Sequence, residues 1–195
     1  MSVLTIREVR SSAERARAAP VALRKSAFEV LKDVTKAQAT AQPYDIFLSH
    51  ASADADIVLG ISAILKGLGH SVYIDWLEDP HLDRSHVTPA TAAVLRDRMN
   101  QCRSLFFATT EGSSASRWMP WECGYFDGSK GKSAILPVLA QPTEHFVGQE
   151  YLGLYPYITK NERQRDGKVG LWVRRSVDIW VEFEAWLRGE EPRRH

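Results

Sequence analysis

Four short apolar stretches, YDIFLS (44–49), SVYID (71–75), RSLFFAT (103–109) and SAILPVL (133–139), recur between segments with helical spacing. That rhythm constrains the fold more than any other feature of the chain. Ser52 and Asp54 stand as N-caps before Ile57, Ile61, Ile64, Leu65 and Leu68, which share one helical face closed by Gly67 and Gly69. Pro89 opens a second helix reaching Asn100, and the stretch SRWMPWECGYFDG (116–128) opens a third. Strands alternating with helices at this spacing predict an α/β fold, a central parallel sheet with helices on both faces.

The two ends read differently. Val3, Ile6, Val9, Ala13 and Ala16 follow helical spacing, Pro20 interrupts it, and Leu23, Ala27, Val30 or Leu31, and Val34 resume it. Residues 1–42 are therefore expected to be a helical N-terminal extension, too thin to fold alone, that docks on the main domain (43–195) or on another chain. Beyond residue 140, YPYIT (155–159) reads as an edge strand. Residues 171–187, carrying Trp172, Trp180, Phe183 and Trp186, read as a C-terminal helix apolar almost all round.

Lys and Arg number 25 against 24 Asp and Glu, a formal charge of +1 that gives no footprint for nucleic acid. The apolar runs are strand-sized, too short to span a membrane. Cys102 and Cys123 are too few for a disulfide scaffold and suit a reducing compartment, so a cytoplasmic location is expected. The N-terminus is basic without an apolar h-region, which argues against secretion; its Arg- and Ser-rich makeup leaves a transit peptide as the alternative.

Several motifs fail on inspection. GSKGKS (128–133) ends like a phosphate-binding loop, but Phe126 stands where a glycine is required and a strand follows instead of a helix. GLG (67–69) follows a helix, so it is a helix stop. The six histidines lack metal-ligand spacing, and no metal is expected. No G-x-S-x-G elbow is present for a hydrolase. A phosphoacceptor receiver domain would need acids where Ser49 and Thr109 end their strands.

In open parallel sheets ligands collect beyond the carboxyl ends of the strands. That rule gathers Ser49 and His50, Asp75 and Trp76, Thr109 and Thr110, and the loop leading to Glu122 along one edge. If Pro120 is the first helical residue, Glu122 is the third, where a carboxylate meets free N–H groups and the helix dipole. Helix capping alone would explain it. Its place at the ligand edge behind Ser113, Ser114, Ser116 and Trp118 adds a second reading. A carboxylate there can bond a ribose diol and stabilise positive charge at an anomeric carbon. One carboxylate suffices when the leaving group is already good, whereas ordinary glycoside hydrolysis uses two. Trp118, Trp121, Tyr125 and Phe126 offer aromatic surface for a dry wall near it, although Trp121 and Tyr125 share a helix face and suit the core equally.

Over about residues 44–140 the chain resembles a TIR domain. The likeness rests on YDIFLSHASAD (44–54), GHSVYIDW (69–76), the long acidic loop that follows, and SRWMPWE (116–122). It implies a flavodoxin-like fold and cleavage of the nicotinamide–ribose bond of NAD+, taken as substrate with no further cofactor. The family's essential glutamate corresponds to Glu122 and its aromatic companion to Trp118. Ser49, His50 and Asp75 correspond to substrate-binding positions; many relatives carry an aromatic or arginine after the first serine, where this chain has His50 and Ala51. The loop 76–88, with Trp76, Asp83 and Arg84, corresponds to the segment through which TIR domains self-associate and control the pocket. The expected product is a cyclic or conjugated ADP-ribose signal read by a separate effector protein, as in stand-alone TIR proteins of Thoeris-like antiphage systems. The alternatives are a TIR effector that depletes NAD+ on assembly, and a non-enzymatic adaptor acting by TIR–TIR binding.

Overall fold

The computed structural model describes residues 2–18, 43–51, 55–74, 88–110, 113, 116–143, 146 and 150–195. Among the described residues nine strands form one sheet: β1 (Leu4–Thr5), β2 (Tyr44–Ser49), β3 (Val72–Tyr73), β4 (Cys102–Thr109), β5 (Ser133–Leu139), β6 (Tyr157–Glu162), β7 (Val169–Arg174), β8 (Ile179–Glu182) and β9 (Arg193–Arg194). Their order is β3-β2-β4-β5-β6-β7-β8-β9, with β1 added beside β5. Strands β2 to β6 are parallel where they pair, and β6 to β9 are antiparallel. The helices are α1 (Ile6–Ala18), α2 (Ala55–Gly67), α3 (Pro89–Asn100), α4 (Trp118–Lys130) and α5 (Phe183–Leu187). The α/β fold with a mainly parallel sheet is the one the alternation of elements demanded.

Both faces of the central strands are covered, which is why those strands read as apolar runs. Strand alternation sends Ile46, Leu48, Phe106, Ala108, Leu136 and Val138 toward the layer of α1, α2 and α5. It sends Phe47, Leu105, Phe107 and Ile135 toward α3 and α4, where they meet Leu95, Met99, Met119, Cys123 and Phe126. The helix ends follow local chemistry. Thr88 caps α3, its hydroxyl accepting from the Thr91 N–H at 3.1 Å, with Pro89 as first helical residue. Gly131 closes α4 at φ 60°, a left-handed conformation that glycine adopts without strain.

The N-terminal segment is built into this body. The N–H of Ile135 bonds the carbonyl of Pro156 at 2.8 Å, so Ile135 faces β6; the alternate position facing the same way is Pro137, which has no N–H to donate. Pairing of β5 with β6 is recorded at Ile135↔Tyr157, and β1 takes up the space beyond, opposite Val138 and Leu139. Ser2 closes the other side by bridging Lys160 of β6. Helix α1 then crosses α2 so tightly that a Cβ added to Gly60 would lie 2.0 Å from the Val9 carbonyl oxygen. Arg17 pairs with Asp56 and Lys160 with Glu8 across these joints. The first expected N-terminal helix thus docks on the main body; the second lies outside the described residues, as do Ser52 and Asp54.

Two expectations for the C-terminal part are corrected. YPYIT does not form an edge: β6 lies between β5 and β7. Residues 171–187 are not one helix but β7, a turn, β8 and the five-residue α5. An apolar run buried on every side has the same composition whether helical or extended. The deciding residues are polar ones in its middle. Arg174 donates from Nε to the Ser176 carbonyl and from a guanidinium nitrogen to that of Val177, while Ser176 Oγ donates to Asp178. This ties a turn that lets Trp172 pair with Glu182 and Val173 with Val181.

Candidate active site

From β2 the chain passes through α2 to β3 on one side of it, and from β3 through α3 to β4 on the other side of β2. The strand order therefore reverses between β2 and β4, and the crevice at their carboxyl ends is the place where such sheets hold ligands. Ser49 is the last residue of β2, in register with Phe107 of β4. Its side chain has the parity of Phe47 and so points toward α4.

Helix α4 buries Trp118, Met119, Glu122, Cys123 and Phe126, one continuous face on which Glu122 is the charged member. The helix begins at Trp118, with Arg117 as N-cap, so Pro120 is its third residue and Glu122 its fifth. The expectation that Glu122 occupies the first turn is thereby corrected. One turn further on it turns inward, and its exposure is 0%. Burying a carboxylate costs several kcal/mol unless hydrogen bonds replace water. Ser49 Oγ donates to Glu122 Oε2 at 2.6 Å, the length of a hydroxyl–carboxylate bond.

His50 follows at 2% exposure, with Nδ1 2.7 Å from the Leu48 carbonyl oxygen. A carbonyl can only accept, so Nδ1 carries a proton and donates it to this oxygen. Two residues past Phe107, Thr109 ends β4 with the same parity as Leu105 and Phe107, hence on the α4 side. Its hydroxyl oxygen is buried and has no hydrogen-bond partner among the described residues.

Trp118 is 7% exposed and stands edge-on to Trp121 at 5.5 Å. Trp121 stacks on Tyr125 at 5.8 Å, and the Arg96 guanidinium from α3 lies over both rings. The four aromatic residues expected around the carboxylate therefore divide. Trp118 and Phe126, four residues before and after Glu122, share its buried face; Trp121 and Tyr125 turn toward α3. Cys123 beside Glu122 is no nucleophile: burial pushes its thiol up to about 11, so it stays protonated at neutral pH. Its neighbour Tyr155 is likewise raised, mainly by burial.

The structure thus brings Ser49, His50, Trp118 and Glu122 to one edge. Asp75, Trp76, Asp83 and Arg84 lie outside the described residues. The pairing of Ser49 with Glu122 was invisible in the sequence, where 73 residues separate them. The unsatisfied state of Thr109 was equally hidden, although its strand-end position was legible.

No family model matches the chain. It is 52% identical over 146 residues to the probable 3' cyclic ADP-D-ribose synthase ThsB' of Bacillus cereus (strain MSX-D12), covering 74% of this chain and 76% of that one. It is 34% identical over 83 residues to the putative cyclic ADP-D-ribose synthase TIR2 of Cytobacillus dafuensis, covering 42% of this chain and 22% of that one. An identity above one half across three quarters of both chains is far outside chance likeness, and the chain belongs to the ThsB' family of bacterial TIR-domain proteins.

Proposed function

We propose that the protein cleaves the nicotinamide–ribose bond of NAD+ and closes the remaining ADP-ribose into a cyclic signal used in antiphage defence. The observation that carries this reading is the buried carboxylate of Glu122, held by Ser49 at the switch point of the sheet beside Trp118. As the bond between the pyridinium nitrogen and the anomeric carbon breaks, its electron pair leaves with nicotinamide, which departs neutral. Positive charge develops on the ribosyl group, and a fixed carboxylate in a water-poor site stabilises it far better than solvent could. A nucleophile from the adenosine half of the same molecule then bonds the anomeric carbon and releases its proton. Exclusion of water decides between ring closure and hydrolysis, and Trp118 and Phe126 supply apolar wall on either side of Glu122.

The names of the two relatives support a cyclic product over a conjugated one. Self-association of TIR domains, with Trp76, Asp83 and Arg84 at the contact, and a separate effector protein that senses the product complete the reading. No helix among the described residues is long and apolar enough to cross a membrane.

Incubation of the purified protein with NAD+, followed by mass analysis of all adenine-containing products, tests it. The expected product is one water lighter than ADP-ribose, and Glu122→Gln should lower its rate about 10³-fold or more while the protein stays folded. Wild-type turnover by Glu122→Gln would remove Glu122 from the chemistry. Conversion to linear ADP-ribose alone would replace signalling by NAD+ depletion.

A further inference from the structure

Two hydroxyls end adjacent strands on the same face of the sheet, and their surroundings are opposite. Ser49 is 1% exposed and its Oγ donates to Glu122 Oε2. A hydroxyl has one proton, so a Ser49 engaged in this bond has none left for a substrate. Thr109 has a buried Oγ1 with no hydrogen-bond partner among the described residues. Leaving a buried polar group unsatisfied is destabilising, and such groups in native proteins call for an explanation. The register locates the two relative to each other. Ser49 pairs with Phe107, so Thr109 lies two residues further toward the ligand edge on the neighbouring strand. With a rise of about 3.3 Å per residue and a strand spacing of about 4.8 Å, their Cα atoms are roughly 8 Å apart. That separation leaves Thr109 nearer the mouth of the crevice and Ser49 beneath the carboxylate.

We infer that the two hydroxyls divide the site between them: Ser49 is a positioning residue for Glu122, and Thr109 is a substrate contact. Ser49 holds Oε2 and thereby fixes the plane of the carboxylate that faces the ribose. Thr109 exchanges its unsatisfied state for a hydrogen bond to a polar group of the bound dinucleotide, a ribose hydroxyl or the carboxamide. This departs from the expectation that Ser49 binds substrate directly, and it rests on the NAD+-cleaving reading of the same crevice.

The two roles separate in kinetics and in stability. Ser49→Ala should lower kcat by 10- to 100-fold with KM changed less than threefold, and Ser49→Thr, which restores a hydroxyl, should recover most of the rate. Thr109→Val is nearly isosteric and removes the orphaned hydroxyl. It should raise KM by about tenfold while raising Tm, a combination that a purely structural threonine would not give. Affinity for NAD+ is then measured in the Glu122→Gln background, where no buried charge is left unpaired and Ser49→Ala can fold. There Ser49→Ala should leave Kd unchanged and Thr109→Val should weaken it. A weakened Kd for Ser49→Ala, or an unchanged one for Thr109→Val together with an unchanged KM, overturns the division. Turnover of NAD+ by the wild type and its loss in Glu122→Gln report separately on the underlying reading; if the wild type consumes no NAD+, that reading and this division fall together.

Discussion

The two faces of the sheet are equally buried and differently made. Toward α1, α2 and α5 the layer is apolar packing: Leu4, Val9, Ile61, Leu65, Val173, Phe183 and Trp186 are all at 2% exposure or less. Toward α3 and α4 the layer is interrupted at its carboxyl end by Glu122, Ser49 and the hydroxyl of Thr109, which has no hydrogen-bond partner among the described residues. The first face gains stability from area removed from water. The second gives some of that up to bury a carboxylate at the candidate site. On the proposed reading, stability and chemistry sit on opposite sides of one set of strands, and damage to one side should be separable from damage to the other.

Deleting residues 1–18 is the severest way to break that separation. It removes Val3, Leu4, Val9 and Ala13 from the core and empties the space beside β5. Burial of a large aliphatic side chain is worth ~1.5–3 kcal/mol, so the loss approaches the whole stability of an ordinary domain. The truncated chain should show no cooperative thermal transition by circular dichroism. A truncated protein melting near the full-length Tm would show the segment to be a dispensable appendage.

Gly60→Ala sharpens the comparison with a smaller injury. A methyl group cannot occupy a point 2.0 Å from the Val9 carbonyl oxygen, so α1 must move away from α2. Overpacking of this kind destabilises by roughly 1–3 kcal/mol. In denaturant titrations the midpoint should fall, whereas kcat of the folded fraction should stay within about threefold of wild type. A matching loss of kcat would mean that the packing face transmits strain to Glu122.

The mildest effect is one of pH, and it belongs to the packing face. His70 is buried edge-on against Phe183 at 5.0 Å. Its pKa is lowered from 6.5, first by burial and also by Arg163, against the opposing pull of Glu184 and Asp45. Below pH 6.5 the unfolded chain takes up a proton that the folded one resists, so acidification through that window destabilises the fold. In His70→Gln the fall in stability between pH 6.5 and 5 should be shallower than in the wild type, measured by urea titration at each pH. An identical slope in both proteins would assign the acid sensitivity elsewhere.

Legibility followed the range of the interactions involved. Strand β2 at 44–49 and β5 at 133–139, and helix α3 at 89–100, were read to the residue because apolar runs, helical spacing and a helix-opening proline at Pro89 are local signals. The stretch 171–187 was misread because burial on all sides erases the period that separates helix from strand. YPYIT was placed at an edge because nothing near it in sequence announces the antiparallel strands that cover it. Glu122 was singled out as an isolated charge among aromatics, but its turn of the helix was set one step too early. That register depends on where α4 packs, not on Pro120 alone.

What the sequence by itself determined was the α/β alternation and the gathering of Ser49, His50, Trp118 and Glu122 at the carboxyl edge of the strands, which makes them candidate members of a site. These follow from short-range periodicity and from a topological rule that needs only strand order. What only the tertiary structure decided was the hydrogen bond from Ser49 to Glu122, the unsatisfied hydroxyl of Thr109, and the entry of β1 beside β5 where Pro137 lacks an N–H. Each depends on groups tens of residues apart arriving within a few ångströms. No local pattern encodes such a meeting, because it is fixed by the packing of whole elements.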